Sequence, residues 1–442
     1  MIHLGPRAFE DISGEVVQTT SFILRNNHLD NYEAKYYKLN EIIDSLGKKT
    51  AFLRRDYEYI AKNELFNKLP NKPISYWVDK EILNLFKNNM KFEDIVYSKV
   101  GLQTGQNNLF LRNWFEVDIC KVSFNSTNIT DFIESNKSWV PYNKGGSFRR
   151  WYGNNDYIIK WENDGEEIKK HKGSVIRNSN FYFKPGITWS DVSTGKFSMR
   201  KFDNGFIFDT CAPSMFLKEE YKNEINEKFL LAFTNSSIMQ ELLNAVSVGM
   251  HYSNGLVSQL PVVNINEINK EIVNKVIDNT NHAIEISKDD WNSFETSWNF
   301  TTHPFLNFSK DNTLLLKIYK KWEEQKRSTL IKLKKIEEEI NYTFIKIFEL
   351  EHYLSYEVPE KDITISSSDI TDNTKSFLSY FIGCALGRYS LDVEGLAYAG
   401  GEFDDSKYKT FKPNPNGLIL LTDDHYFEND IIVRLREFLS VA

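Results

Sequence analysis

An α+β fold is what this sequence predicts, and three observations carry the prediction. Residues 95–265 break into short apolar runs separated by Gly, Asn and Asp, the pattern of many short strands joined by loops. From about residue 312 to 350, "NTLLLKIYKKWEEQKRSTLIKLKKIEEEINYTFIKIFEL" keeps helical period, strong helix formers and charges four apart. The first forty residues carry two strand-like runs joined by the polar "NHLDN". At 442 residues the chain is long for one core, so two or three domains are expected.

Each element follows in order. Residues 16–25 and 32–39, within "EVVQTTSFILRN" and "YEAKYYKLN", read as a β-hairpin whose first strand is apolar enough for burial on both faces. A lone hairpin is marginal, so residues 1–70 should belong to a larger sheet. Pro70 and Pro73 close an irregular connector, and a short helix follows near residues 80–87. "IVYSKVGLQTGQNNLFLRNWFEV", "FYFKPGITWSDVS" and "FSMRKFDNGFIFDT" supply strands of a β-rich domain over 95–265, interrupted by a helical piece at about 219–243. Residues 266–360 form a helical spacer or brace, as one long helix or an antiparallel pair. Over 361–442, "DITDNTKSFLSYFIGCALGRYS" starts a capped helix, a Gly- and Pro-rich loop follows, and "DDHYFENDIIVRLREFLSVA" ends in another helix.

Composition narrows the function. The hydrophobic fraction of 41% and charged fraction of 26% mark a globular chain. No apolar run is long enough to span a bilayer and no basic-then-apolar leader opens the sequence, so a cytoplasmic protein without a membrane partner is expected. Cys120, Cys211 and Cys384 form no CxxC pair, which argues against a disulfide framework or a zinc cluster and predicts three buried thiols. Neither GxGxxG nor GxxxxGK[ST] occurs, HExxH and GxSxG are absent, and no metal site is assigned. The total charge is −7, yet residues 144–201 hold twelve Lys or Arg against six acids, +6 there and −13 elsewhere. Such local sign, interleaved with aromatics, fits either a surface that handles phosphate and bases or an ordinary basic face.

The stretch "GGSFRRWYGNNDYIIKWENDG" concentrates this chemistry. Arg149 and Arg150 offer forked donors for phosphate oxygens or a guanine edge, and Trp151 and Tyr152 offer flat faces. Asn154 and Asn155 carry amides that match an adenine edge. Lys184, Trp189, Lys196, Arg200 and Lys201 extend the pattern downstream, while Trp and Tyr in strands equally serve a core. Asp156 with Glu167-Ile168-Lys169 has the spacing of a magnesium nuclease, a short pattern that chance supplies freely.

Several long blocks carry a resemblance: "LGPRAFEDISGEVVQTTSFILRN", "GLQTGQNNLFLRNWFEV", "WVPYNKGGSFRRWYGNNDYIIKWENDGEEIK", "FYFKPGITWSDVSTGKFSMRKFDNGFIFDT", "ISKDDWNSFETSWNF" and "GCALGRYSLDVEGLAYAGGEFDDSKY". In this order they resemble the adenine-specific DNA methyltransferases of bacterial BREX phage-exclusion systems, the PglX family, which is related to type IIG restriction-modification enzymes. The resemblance implies that the opening hairpin ends a methyltransferase sheet, that 95–265 is the DNA target recognition domain, and that double-stranded DNA is the partner. It also implies an S-adenosylmethionine site and an Asn-Pro-Pro-Tyr loop upstream; this sequence has neither, its Asn-Pro at Asn414-Pro415 being followed by Asn416. The chain therefore corresponds to an internal-to-C-terminal portion, with no cofactor or catalytic residue of its own and the catalytic half as a second partner. The residues implied to contact DNA are Thr104, Gln106, Asn107, Lys144, Arg149, Arg150, Trp151, Tyr152, Lys184, Trp189, Arg200 and Lys201. A non-enzymatic subunit that docks onto other phage-defence proteins is the alternative.

Overall fold

The computed structural model describes residues 1–9, 17–27, 29–193, 195–247, 249–309, 314–366, 368–422, 424, 426–427 and 429–442. They divide into two compact units, one of residues 1–94, 241–249 and 255–264, the other of residues 95–240, 250–254 and 265–442. The strand-rich region and the helices that follow residue 265 thus share one unit. No described helix is long and apolar enough to cross a membrane.

The first unit is built on β1 (Ile2–Gly5), β2 (Thr19–Ser21), β3 (Glu33–Lys38) and β4 (Glu58–Lys62), in spatial order β2-β1-β3-β4. β1 runs antiparallel to β2 and parallel to β3, so the two runs expected to pair as a hairpin are separated by one strand. The sequence "IHLG" is too short to read as a strand, yet it takes ladder bonds on both sides, with Ile2 opposite Ser21 and Tyr37. Val16 lies outside the described residues. Burial of the first run on both faces is also corrected: β2 is an edge strand, and Phe22, Ile23 and Leu24 beyond it are exposed. The core of this unit gathers Tyr36, Ala61, Phe66 and Tyr76, with Tyr36 and Tyr76 stacked at 4.7 Å. The buried Lys48 ammonium donates to the carbonyls of Leu4 at 2.8 Å, Leu39 at 3.0 Å and Ile42, tying the 39–44 turn to β1. A short antiparallel pair joins β5 (Met90–Lys91) to Pro261–Val262.

The second unit holds two four-stranded sheets. Their strands are β6 (Val96–Lys99), β7 (Leu111–Asn113), β8 (Trp139–Asn143), β9 (Tyr157–Lys160), β10 (Gly186–Trp189), β11 (Met199–Phe202), β12 (Ile207–Phe208) and β13 (Ser214–Leu217). The orders are β11-β10-β13-β6 and β12-β8-β9-β7, antiparallel except for the parallel β12 and β8. β10, "GITW", carries no charge and is buried at all four positions, as an inner strand requires. Pro141 is tolerated in β8 because β12 pairs only with Tyr142 and Asn143, leaving that edge without a ladder at the proline. Leu102, Phe110, Tyr142, Trp161, Phe202 and Phe208 belong to one apolar cluster in this unit.

The helix Lys270–Asn292 starts at Asn269, whose side chain accepts from the Glu271 amide at 2.8 Å, and it packs on Leu315–Ile347. The latter is one continuous helix of 33 residues instead of an antiparallel pair. Its buried stripe runs through Ile318, Trp322, Leu333, Ile336, Ile340 and Phe344 at steps of three, four or sums of the two, and Lys326 and Glu337 lie on the same stripe. The helix Ile370–Ala385 is capped by Asp369, which accepts from the Asp372 amide at 3.0 Å, and joins Ile431–Val441 in a cluster with Phe300, Phe305 and Phe438. Only Cys384 is a buried thiol: Cys120 and Cys211 are exposed, because each lies in a short turn at the edge of a strand region.

Candidate nucleic-acid interface

The arginine-rich stretch is the connection between β8 and β9, and its backbone is tightly folded. Gly145, Gly146, Trp151, Gly153 and Asn154 all take positive φ. At Gly153 the reason is a close approach. A Cβ there would come within 2.6 Å of Arg149 Cδ and 2.9 Å of the Trp291 ring, so glycine is what lets the Arg149 guanidinium lie over Trp291 at 5.0 Å.

The two arginines point inward. Arg149 Nη1 meets Asp290 Oδ2 at 3.4 Å, and Asp290 also accepts from Lys326 Nζ, the Ser366 hydroxyl and the Ser366 amide at 3.1 Å. Arg150 Nη1 donates to Glu337, whose other oxygen accepts from Trp151 Nε1 at 2.8 Å, while the Arg150 amide donates to Thr364 Oγ1 at 2.9 Å. Trp151 is buried and bridges to β11, its amide donating to the Met199 carbonyl at 3.0 Å and its carbonyl accepting from the Lys201 amide at 2.9 Å. Burial raises the Glu337 pKa against the pull of the Arg150 charge and the Trp151 N–H. Arg200 is buried as well. Its pKa is pushed down to about 10, chiefly by burial with Arg149 adding to it, and Nη1 donates to the Arg149 carbonyl at 3.4 Å. The loop therefore forms an ionic and aromatic plug on the two long helices.

The other expected contact residues divide by exposure. Thr104 is buried and donates to the Asn107 side chain, and its carbonyl accepts from Ser174 Oγ at 2.6 Å. Gly105, at φ +70°, crosses Gly173 so closely that a Cβ would lie 2.6 Å from the Gly173 carbonyl carbon. Thus pinned, Gln106 and Asn107 stand exposed at the tip. Lys144 is half-buried on Asp209, which also accepts from the Tyr142 hydroxyl at 2.7 Å. Tyr152 is buried, with the Lys288 ammonium 5.6 Å from its ring, and Trp189 is fully buried, its Nε1 donating to the Tyr252 carbonyl at 2.8 Å. Lys184 is exposed and Lys201 half-buried near Asp203 at 3.4 Å. The structure brings Arg149, Arg150, Trp151 and Arg200 together in the interior and leaves Gln106, Asn107 and Lys184 on the surface.

The residues of the nuclease-like pattern are engaged separately. Glu167 pairs with Lys160 at 2.6 Å, Lys169 with Asp164 at 2.5 Å, and Asp156 is held above its usual carboxylate range by burial. Among the described residues no three His, Cys, Asp or Glu side chains could jointly hold a metal ion. Sequence reading missed Asp290, Lys326 and Glu337, the inward partners of the plug. A signal for two of them existed: Lys326 and Glu337 fall on the apolar stripe of the long helix, where a charge needs a partner.

No protein-family model matches the chain. Over its whole length it is 41% identical to the adenine-specific methyltransferase PglX of Lacticaseibacillus casei (strain Zhang). The chain is homologous to a region of PglX. It is likewise 34% identical over its whole length to the adenine-specific methyltransferase BrxX of Escherichia coli O9:H4 (strain HS). It spans 37% of the length of each of these curated relatives.

Proposed function

We propose that this chain is the DNA sequence-recognition portion of an adenine-specific DNA methyltransferase of a BREX phage-defence system. In the intact enzyme one methyl group passes from S-adenosylmethionine to an adenine within a short asymmetric site of double-stranded DNA, and the cofactor and the catalytic loop are assigned to the rest of the enzyme. The observation that carries this reading is the 103–108 loop: two adjacent amide side chains, Gln106 and Asn107, exposed on a turn whose base is fastened by Thr104, Ser174 and the Gly105–Gly173 crossing. Amides held this way match the donor and acceptor pattern of an adenine edge in the major groove. Lys144, Lys184 and Lys201 are assigned to phosphates. Arg149, Arg150, Trp151, Tyr152, Trp189 and Arg200 are assigned to the frame that holds the module rigid on its helices.

Fluorescence anisotropy with labelled duplexes tests this. The chain should bind DNA with an affinity that falls steeply as salt rises, and the Gln106→Ala, Asn107→Ala pair should change preference among sequences while leaving the salt slope in place. Binding that is absent, or insensitive to salt, would refute the reading. A second reading has its own support. Ile23 is 97% exposed, and Phe22, Leu24, Ile43, Leu46 and Leu53 are exposed in the same unit, the composition of a protein-docking face. The methyltransferase half or another defence protein would cover it. Retention of such a partner by a chain without DNA affinity would favour an assembly subunit.

A further inference from the structure

The second unit carries an open groove of about 960 Å³ that none of the expected contact residues except Lys184 touches. One wall is β6, the edge strand of its sheet, where the two-residue period sends Tyr97 and Lys99 to the same face. The other wall is the 178–185 segment, fastened where Asn178 Nδ2 donates to the Val100 carbonyl at 2.8 Å and where Phe181 packs on Phe216 at 4.9 Å. Lys218 and Lys222 follow β13, and Lys222 lines the groove. Two rings sit at the centre, Tyr97 and Phe181, edge to face at 5.5 Å.

The ammonium groups are held by these rings. Lys99 Nζ lies 5.7 Å from the Tyr97 centroid and 5.8 Å from that of Phe181, Lys184 lies 5.4 Å from Phe181, and Lys218 lies 5.5 Å from Tyr97. A ring face attracts a cation without neutralising it. Among the described residues neither Lys99 nor Lys184 has a carboxylate within ion-pair distance. The carboxylates of the groove are Glu219, spent on Lys222 at 2.6 Å, and Glu227, whose charged form burial disfavours. The groove thus keeps a positive excess in a protein whose total charge is −7.

We infer that this groove seats the sugar-phosphate strand of duplex DNA, with Lys99 and Lys184 as its principal phosphate contacts. The inference rests on the reading that the module binds DNA. Lysines act as point charges toward phosphate, and an open groove suits a ligand longer than itself. Ammonium groups beside both rings compete with a base for the ring faces, which favours phosphate contact over the base stacking that holds single strands. No glycine-rich phosphate loop lies in the sequence to suggest a free nucleotide instead.

The test is a salt series of anisotropy titrations on the full chain with a labelled mixed-sequence duplex and its single strand. Lys99→Gln/Lys184→Gln should weaken duplex binding equally for all sequences and flatten the slope of log K against log salt by about 2. Lys170→Gln, at an exposed ion pair with Glu166, should change neither quantity. Lys184→Glu alone, at an exposed position, should weaken binding further than Lys184→Gln and covers the case in which the double variant melts early. A wild-type chain that binds duplex while both lysine variants keep its affinity and slope overturns the groove alone. A wild-type chain that binds no duplex overturns the groove and the function together. Preference for the single strand, lost on Tyr97→Ala more than on the lysine changes, overturns the backbone assignment in favour of stacking.

Discussion

Arg150 and Lys184 carry the same charge beside the same kind of ring, 5.5 Å from Phe148 in one case and 5.4 Å from Phe181 in the other. Arg150 is buried on Glu337, and Lys184 stands in solvent with no carboxylate partner among the described residues. The difference teaches that a cation and an aromatic residue in neighbouring sequence do not say whether the pair reads a ligand or locks a core. What decides is whether a carboxylate from a distant segment arrives. For Arg150 it comes from 187 residues away. A buried charge needs that partner, and an exposed one keeps its charge available.

The largest effect that would break this contrast is at the plug. Arg150→Ala leaves Glu337 buried with one N–H donor and should cost about 3–5 kcal/mol in urea unfolding, with any residual DNA binding keeping its salt slope. A loss under about 1 kcal/mol together with a flattened slope would move Arg150 to the DNA side. A second interior basic group sharpens the point through pH. His303 is buried, its Nδ1 accepts from the Phe305 amide at 3.3 Å, and burial pushes its pKa down to about 3. The unfolded chain takes up this proton near pH 6.5 and the folded chain resists it, so stability present above pH 6.5 is lost as pH falls toward about 3. The loss is on the order of 5 kcal/mol, and the slope should be smaller in His303→Gln, measured by unfolding at several pH values.

A smaller effect is expected at Gly153, φ +121°. Gly153→Ala puts a methyl group against Arg149 and Trp291 in an unfavourable backbone region and should cost about 1–3 kcal/mol in the same assay. The smallest belongs to the surface side of the comparison. Lys184→Gln should change stability by less than about 0.5 kcal/mol while it weakens DNA binding, since an exposed lysine without a salt bridge contributes little to folding. An equal loss of stability and binding would mean that Lys184, like Arg150, is structural.

Much of the fold could be read in advance. The helix near 80–87 is found at Lys80–Asn88, the forty-residue periodic stretch becomes Leu315–Ile347, and the Asp-led tail becomes Ile370–Ala385. Long periodic segments and caps are local properties, so they survive without tertiary information. Strand pairing did not. β1 is four residues long and parts the two runs that looked like neighbours, and a ladder depends on which backbone reaches an edge, not on local pattern. The arginine-rich stretch was visible in composition, and Arg149, Arg150, Trp151 and Arg200 do come together. Their direction was not, because Asp290 and Glu337 lie on helices that only folding brings to residues 149–151.

From its sequence alone this protein was determined to be α+β, to gather positive charge in its middle third, and to resemble a region of the PglX-type methyltransferases. Each of these is a property of residue order and composition. The tertiary structure decided which charges are spent inside and which face solvent, and it assembled Tyr97, Lys99, Phe181 and Lys184 from separate segments into one groove. Electrostatic availability is set by burial and by partners far away in the chain, and neither exists until the chain has folded.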